Sequence, residues 1–300
     1  MNTLVVITGP TGVGKTDTAI SIAQALSAEI ISADSRQLYH EIPVCTAAPT
    51  AEQQALIPHH FVGTLNLDEY YSAAQFESDV MQLLPRLFER SPYAVMCGGS
   101  MLYIDAVCNG IDDIPTISDE IRNQVYAEYE EHGLDYMLDR LKALDPEHYE
   151  VVDKKNYKRV VHAVEICLQA GQTYTSLRTN KSKERPFRII KIGLNLPREL
   201  LFDRINRRVD AMVESGLLEE ARRVYPLRHL NSLNTVGFKE LFNYFDGTWD
   251  YDTAIARIQK NTRVYAKKQL TWYAKDESMQ WFAPGDPQIL EYIKQTIQQE

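Results

Sequence analysis

The sequence predicts an α/β fold in which a parallel β-sheet core is interrupted by an inserted all-helical domain. Apolar runs alternate with helix-type patterns through roughly the first hundred residues, as is typical of a parallel sheet. From residue 112 onward only helical periodicity remains, and a strand pattern returns near residue 187. We therefore predict a first core part at residues 1–111, a helical insertion at 112–186, and a second core part with C-terminal helices at 187–300.

A glycine-rich loop directly follows the first predicted strand, at residues 4–7. It reads Gly-x4-Gly-Lys-Thr, and its members are the predicted polyphosphate ligands: Gly9, Pro10, Thr11, Gly12, Val13, Gly14, Lys15 and Thr16. Glycines let the backbone N–H groups point inward, the lysine adds a positive charge, and the hydroxyl of Thr16 suits Mg²⁺. The helix predicted from Lys15 adds its positive end. Because strand, loop and helix follow in the required order, the core is predicted to be P-loop NTPase-like.

Two further strand ends carry candidate chemistry. A strand at residues 30–32 is followed by Asp34, and a strand at 93–97 is followed by Ser100. The carboxyl ends of parallel strands form the ligand cleft of an open α/β sheet, so both side chains should face the loop. Asp34 is a candidate general base, and a turn or helix cap is the comparable alternative. The 93–97 strand ends in glycine where ATP-hydrolysing P-loop proteins carry an acid, which argues against an ATPase and weakly against a kinase.

The remaining predicted elements follow from helical and strand periodicity. They are a helix at about residues 68–90, a strand at 187–194, a helix from 197 to 216 and a last long helix at about 251–274. Within the insertion we expect a break at Asp145-Pro146 and a helix end at Gly171. Arg204 and Arg208 lie four residues apart and share one helix edge.

Composition excludes several classes of protein. The 300 residues are 44% hydrophobic and 24% charged, and no apolar run reaches membrane-spanning length. No basic-then-apolar leader precedes the first strand, and the four cysteines are scattered without a Cys-x-x-Cys pair. We therefore expect a cytoplasmic protein with neither a disulfide framework nor a zinc site.

The net charge of −9 hides an uneven distribution. Residues 112–150 carry twelve acids and three bases, whereas residues 151–208 carry fourteen bases and five acids. A strongly basic segment can bind a polyanion inside an acidic protein, because steering depends on the local field. The aromatic and basic cluster at residues 156–159, together with His162, either binds the RNA backbone or is an ordinary solvated helix face.

Taken in order along nearly the whole chain, these motifs resemble the tRNA dimethylallyltransferase family. The stretches that carry the resemblance are residues 9–16, 32–39, 58–60, 70–76, 98–103, 156–165, 204–220, 236–240 and 263–272. No single stretch is diagnostic, but the ordered set is highly specific. The resemblance implies transfer of a dimethylallyl group from dimethylallyl diphosphate to N6 of the adenosine 3′ of the anticodon.

The resemblance also implies roles for individual residues. The phosphate loop with Mg²⁺ would hold the diphosphate leaving group, joined by Arg208 and Arg204, and Asp34 would act as base with Ser100 and Arg208 as further catalytic residues. The partner would be the anticodon arm of tRNA, bound by a monomer that needs no membrane. The implied tRNA-binding residues are Asp34, Ser35, Arg36, Gln37, Arg122, Lys158, Arg159, Val160, Val161, His162, Arg263 and Lys267.

The sequence departs from the family pattern in three places. Ser100 stands where threonine is usual and keeps the hydroxyl. Residues 45–49 read Cys-Thr-Ala-Ala-Pro where Gly-Thr-Ala-Lys-Pro is usual, and His162 replaces an arginine, so fixed positive charge is lost. We expect these changes to affect tRNA affinity more than the chemistry. The alternatives are a dimethylallyltransferase of free adenine nucleotides, a small-molecule kinase, and a catalytically silent RNA-binding protein.

Overall fold

The computed structural model describes residues 1–179 and 181–298. The chain forms two compact units, one made of Met1–Asn109 with Arg185–Glu300 and the other of Gly110–Glu184. The strands are β1 (Thr3–Thr8), β2 (Ile30–Ala33), β3 (His59–His60), β4 (Tyr93–Gly98), β5 (Arg188–Leu194) and β6 (Met279–Phe282). Helices of the first unit are α1 (Lys15–Leu26), α2 (Pro43–Thr46), α3 (Ala51–Leu56), α4 (Ala73–Phe88) and α5 (Met101–Asn109).

The other helices follow in chain order. The second unit contains α6 (Asp119–Leu144), α7 (Pro146–Val151), α8 (Tyr157–Ala170) and α9 (Tyr174–Leu177). The first unit continues with α10 (Arg198–Glu214), α11 (Leu217–Val224), α12 (Phe238–Phe245), α13 (Tyr251–Tyr273) and α14 (Gln288–Gln298), and with 3₁₀ turns at Tyr225–Leu227 and Asn231–Leu233. Among the residues described, every helix is too short or too polar to cross a membrane.

The first unit is built on a six-stranded parallel sheet with the order β3-β2-β4-β1-β5-β6. Successive residues of a strand point to opposite faces. Accordingly, Leu4 and Val6 of β1 join the core beneath α4 and α5, whereas Val5 and Ile7 join the core beneath α1 and α14. This arrangement confirms the predicted α/β class with a P-loop-type parallel sheet.

Sequence periodicity missed both edge strands of the sheet. β3 is only two residues long and β6 is four residues long, too short to show a distinct alternation. The helix expected from about residue 68 begins instead at Ala73, because the hydroxyl of Ser72 caps it by accepting the N–H of Gln75 at 3.1 Å.

The second unit is all helical and has its own core. Val125, Met137 and Leu141 of α6 pack with residues of α8. The expected break at Asp145-Pro146 is present, since α6 ends at Leu144 and the carboxylate of Asp145 caps α7 by accepting the N–H of His148 at 2.9 Å. Gly171 ends α8 in the left-handed conformation, as expected. A kink at Gly133, with φ 78°, divides α6 and was not predicted.

Candidate active site

The phosphate loop between β1 and α1 requires its glycines. Gly9 has φ 144°, and a Cβ atom there would lie 2.4 Å from the carbonyl oxygen of Leu194. Gly12 has φ 80°, and its Cβ would lie 2.8 Å from the side chain of Ile205. Both values are far below van der Waals contact, so β5 and α10 press directly against the loop. The loop therefore keeps its shape because two neighbouring elements of the same unit enclose it.

Lys15 points back across the loop. Its Nζ donates to the carbonyl oxygens of Gly9 at 3.0 Å and of Pro10 at 2.9 Å. The pKa of Lys15 is lowered to about 8, mainly by burial and less by Arg208, while Cys97 and Asp34 act in the opposite direction. A bound polyanion would favour the charged form of this lysine, so the loop is prepared for an anionic ligand.

Gln269 of α13 is a site residue to which sequence reasoning assigned no role. Its side chain is 1% exposed, its Oε1 accepts the N–H of Thr11 at 2.8 Å, and its Nε2 donates to the carbonyl oxygen of Gly99 at 2.9 Å. A Cβ at Gly99 would lie 2.5 Å from that Nε2. A neutral amide from α13 therefore occupies space beside the end of β4, where ATP-hydrolysing P-loop proteins place an acid. The usable signal was a glutamine inside the 263–272 motif.

Asp34 follows β2 and makes the turn contact that the sequence left open, beside a cavity. Its Oδ1 accepts the N–H of Arg36 at 3.0 Å, which is the contact of a turn cap. The residue also lines the cavity described below. Ser100 fixes the same turn, because its Oγ accepts the N–H of Ser35 at 2.8 Å and lies 3.2 Å from the Ser35 hydroxyl. The turn is therefore held at both ends with a carboxylate beside open space.

Gln37 serves as an internal brace of this region. Its Oε1 accepts the hydroxyl of Ser32 at 3.0 Å, and its Nε2 donates to the carbonyl oxygens of Thr46 and Ala47, each at 3.3 Å. The amide thus connects the end of β2 with the segment after α2. The side chain still lines the phosphate-loop cavity.

Two cavities meet at the phosphate loop. The larger one, about 560 Å³, is lined by loop residues with Arg204, Arg207 and Arg208. The smaller one, about 370 Å³, has an apolar wall from α10 and polar groups from the segment before α12. Four residues line both cavities: Thr11, Asp34, Arg208 and Tyr265. A ligand in one cavity and a ligand in the other would therefore approach each other at these side chains.

The cations of α10 are distributed along this junction. Burial lowers the pKa of Arg208, while the negative charge of Asp34 and, less strongly, Cys45 raise it. An arginine remains charged under such a shift, because its ordinary pKa exceeds 12. The guanidinium of Arg204 lies close to the loop, since a Cβ at Gly14 would be 3.0 Å from its Nη2. Three arginines thus face the loop from α10.

Tyr265 of α13 closes the other side of the junction. Burial and the nearby charge of Asp34 raise the pKa of Tyr265 to about 12. The phenol therefore keeps its proton at neutral pH and is available as a hydrogen-bond donor.

The departures at residues 45–49 have different structural consequences. The N–H groups of Val44 and Cys45 donate to the buried carboxylate of Glu220 at 2.9 and 2.7 Å. The thiol fits because residue 237 is glycine, where a Cβ would lie 2.6 Å from the Cys45 sulfur. Ala48 lines the larger cavity, so the absent lysine removes a positive charge from that wall.

The second unit contains four of the predicted tRNA-binding residues with accessible side chains. Lys158, Arg159 and His162 are exposed on α8, and Arg122 is partly exposed on α6. The Nδ1 of His162 lies 3.2 Å from the buried carboxylate of Glu165. Lys158 and Arg159 therefore supply the accessible positive charge of α8, and Arg122 adds a partly exposed cation on α6.

Val160 and Val161 do not belong to that surface. Their side chains are buried in the core of the second unit, packed with residues of α6. Their inclusion among RNA-contacting residues is therefore corrected: in the 156–165 motif they occupy the apolar positions of an amphipathic helix.

Arg263 and Lys267 lie away from the two cavities and line neither. Both project over the ring of Phe202, at 5.9 and 5.4 Å from its centre, together with Arg198 at 5.2 Å. The structure thus groups these two predicted tRNA-binding residues with each other and not with Asp34.

The sequence predicts Thr16 as the metal-binding residue. Its side chain lines the larger cavity. Within the described ranges no group of three or more His, Cys, Asp or Glu side chains could hold a metal ion. A cation in this cavity would therefore take most of its ligands from a bound phosphate and water.

The sequence of this chain is similar to that of a known protein family over most of its length. Residues 37–276 match the family model described as IPP transferase. The chain is 58% identical over 298 residues to tRNA dimethylallyltransferase 2 of Parabacteroides distasonis, covering 99% of this chain and 100% of the relative. It is 55% identical over 296 residues to tRNA dimethylallyltransferase 1 of Bacteroides fragilis, covering 98% of each.

Two solved structures are similar in fold. The full-length tRNA isopentenylpyrophosphate transferase of Bacillus halodurans superposes with a TM-score of 0.72 at 34% identity, covering 99% of this chain and 96% of that one. A eukaryotic dimethylallyltransferase acting on tRNA superposes with a TM-score of 0.78 at 26% identity, covering 91% of this chain and 70% of that one.

Proposed function

We propose, on the premise that the chain belongs to the tRNA dimethylallyltransferase family, that it transfers a dimethylallyl group to tRNA. The donor is dimethylallyl diphosphate, and the acceptor is N6 of the adenosine on the 3′ side of the anticodon. The single observation that carries the proposal is the junction of two cavities at Asp34 and Arg208. One cavity suits a diphosphate and the other suits a base that has left its stack.

The larger cavity would hold the diphosphate of the donor. Its phosphate loop supplies backbone N–H groups, Lys15 supplies a cation, and Arg204 and Arg208 approach from α10. Such fixed donors stabilise the negative charge that develops on a departing group. Gln269 braces this loop at Thr11, while Lys15 would exchange its bonds to two carbonyl oxygens of the loop for the diphosphate.

We further propose Mg²⁺ as the cofactor of this cavity, with Thr16 as its protein ligand. Magnesium commonly keeps several waters and binds through one or two protein groups plus substrate phosphates, which fits a cavity lined by Thr16 and, among the described residues, by only two carboxylates, those of Asp17 and Asp34. When bound, the ion would neutralise charge on the leaving diphosphate. Its affinity should therefore depend on the diphosphate being present.

The smaller cavity would receive the adenine. The target base must leave the anticodon-loop stack to reach a cavity of this kind. A new bond forms between N6 and C1 of the allyl group and the bond between C1 and the diphosphate oxygen breaks, either by direct displacement or through a carbocation. The N6 proton passes to the Asp34 carboxylate, and diphosphate leaves with the electron pair of the broken bond. Ser100 contributes by holding the turn that carries Asp34.

The helical unit would hold the anticodon arm of the tRNA. Its α8 presents Lys158, Arg159 and His162, and Arg122 lies on α6. RNA stems are recognised mainly by shape and phosphate contacts, for which basic side chains on a rigid helix are suited. A tRNA substrate also agrees with the predicted cytoplasmic location, and a monomer stays the expected oligomeric state.

The test compares three acceptors in the presence of Mg²⁺. Labelled dimethylallyl diphosphate is incubated with unmodified tRNA, with AMP, and without an acceptor. We expect label in tRNA alone, at the adenosine next to the anticodon, as located by nuclease digestion and mass spectrometry. Label in AMP but not in tRNA would contradict the proposed acceptor. ATP-dependent phosphorylation of a small molecule without prenyl transfer would contradict the proposed reaction.

A further inference from the structure

A strip of exposed apolar and aromatic side chains extends from the active-site cavities along α5 and α13. Ser100, just before α5, lines the smaller cavity, and Leu102, two residues further along, is 61% exposed. On α13, Tyr265 lines both cavities and is 38% exposed, and Trp272 two turns further along is 39% exposed. Lys268 is exposed between them. We define Leu102, Tyr265, Lys268 and Trp272 as the α5–α13 strip.

The members of the strip lie on adjoining helix faces. Residues 265, 268 and 272 are separated by three and four positions and therefore share one face of α13. The indole Nε1 of Trp272 donates to the Oδ2 of Asp105 on α5 at 2.8 Å. Leu102 is three residues before Asp105 and shares its face of α5. The indole is thus anchored by its edge while its exposed surface remains available.

We propose that the α5–α13 strip binds the unpaired nucleotides that flank the target adenosine in the anticodon loop. This inference rests on the proposed tRNA function and extends it to a second contact surface. The strip is continuous with both cavities through Tyr265, so the nucleotides beside a base bound in the smaller cavity lie within reach of it. Lys268 supplies a charge complementary to RNA phosphate.

The chemistry of the strip suits single-stranded RNA. Extruding one base from a loop removes a stacking partner from each neighbour. Aromatic and apolar surfaces replace that contact, because every base has a π-face and stacking tolerates different sequences. A rigid indole loses little freedom when a base stacks on it. The strip therefore stabilises the extruded arrangement rather than reading a particular base.

The first test measures binding of an unmodified anticodon stem-loop hairpin to the full-length protein. Leu102→Ala and Trp272→Ala should each weaken hairpin binding by about fivefold or more, the effect of losing a stacked base. Leu200→Ala is the matched control, because Leu200 is 56% exposed and lines neither cavity. Trp272→Phe should retain most of the affinity, since it keeps a ring and loses only the bond to Asp105. Unchanged dimethylallyl diphosphate affinity establishes that each variant is folded.

The second test uses hairpins lacking the base on either side of the target adenosine. Loss of a flanking base should weaken binding to the unaltered protein but weaken binding to the Trp272→Ala variant little further. Lys268→Ala should lower the salt slope by about 0.7, the value for one phosphate contact on a single strand, whereas Trp272→Ala should leave the slope unchanged.

Normal hairpin affinity in both Leu102→Ala and Trp272→Ala would overturn the proposal. It would also be overturned if these substitutions abolished a protein dimer while leaving hairpin affinity unchanged, since the strip would then be a self-association surface. Failure of the proposed function can be distinguished from failure of this proposal, because the unaltered protein would then transfer no prenyl group to tRNA. Strip-dependent hairpin binding would still stand in that case.

Discussion

At the scale of single residues, one side chain can combine a structural contact with a position in the proposed active site. Asp34 caps a turn through Oδ1 while lining the junction of the two cavities. The sequence places Asp34 at a strand end but does not distinguish a turn cap from a general base, because both require a short carboxylate after a strand. Lys15 likewise owes a property to the folded structure, since burial is the main cause of its lowered pKa.

Asp34→Asn should reduce prenyl transfer by about 10²- to 10⁴-fold, the usual contribution of a general base. The asparagine oxygen can still accept the N–H of Arg36, so the turn and the affinity for dimethylallyl diphosphate should persist. Single-turnover transfer and diphosphate calorimetry measure the two effects. Asp252→Asn, at an exposed acid in the first turn of α13, is the control. Full activity in Asp34→Asn would remove the base assignment.

The pH dependence of donor binding should report on Lys15. Its pKa in the free protein is lowered from 10.5 to about 8, so the ammonium form is complete below that pH and is lost above it. Affinity for dimethylallyl diphosphate should therefore fall as pH rises through 8, well before an ordinary lysine would titrate. Calorimetry between pH 7 and pH 10 tests this, with Lys15→Met as the reference. The same decline in Lys15→Met would assign it to another group.

At the scale of elements, the site depends on helices that come late in the chain and press on a loop near its beginning. α10 and α13 supply Arg208, Tyr265 and Gln269 to a phosphate loop between β1 and α1. Helical periodicity predicted both helices, and a shared edge was predicted for the arginines of α10. The packing of Gln269 between Thr11 and Gly99 depends on three-dimensional contact and was not derivable from the pattern.

Gln269→Ala should destabilise the fold and the loop together. It leaves the buried N–H of Thr11 and carbonyl of Gly99 without their amide partner, which typically costs about 1–3 kcal/mol. We expect a lower free energy of unfolding in urea and a raised KM for dimethylallyl diphosphate, with a smaller effect on tRNA affinity. Gln259→Ala on the same helix is the control, because Gln259 is partly exposed and its amide donates to Asp210 and not to the loop. An unchanged KM would limit Gln269 to a packing role.

At the scale of the whole molecule, a protein of net charge −9 is proposed to bind a polyanion. The basic excess of residues 151–208 is shared between the second unit and the returning core. In each unit some cations are accessible, including Lys158 and Arg159 on α8 and the group around Phe202. Local field rather than total charge should therefore govern association with tRNA.

Lys158→Ala combined with Arg159→Ala should weaken tRNA binding and reduce the slope of log affinity against log salt by about 1 to 2. The matched control is Lys142→Ala with Lys154→Ala, which removes the same charge from side chains that lie over the ring of Tyr149. Fluorescence titration at several salt concentrations measures both. Equal slopes for the two double variants would show a general charge effect instead of a specific contact on α8.

The amino-acid sequence by itself determined the α/β class, the phosphate loop and the order of motifs, because these depend on local periodicity and residue spacing. Tertiary structure decided which side chains meet: Gln269 beside Gly99, Cys45 against Gly237, and Val160 and Val161 inside a core. Such contacts join residues far apart in the chain or depend on which helix face is covered. Local patterns do not encode packing, and packing determines both which distant residues meet and which helix face is covered.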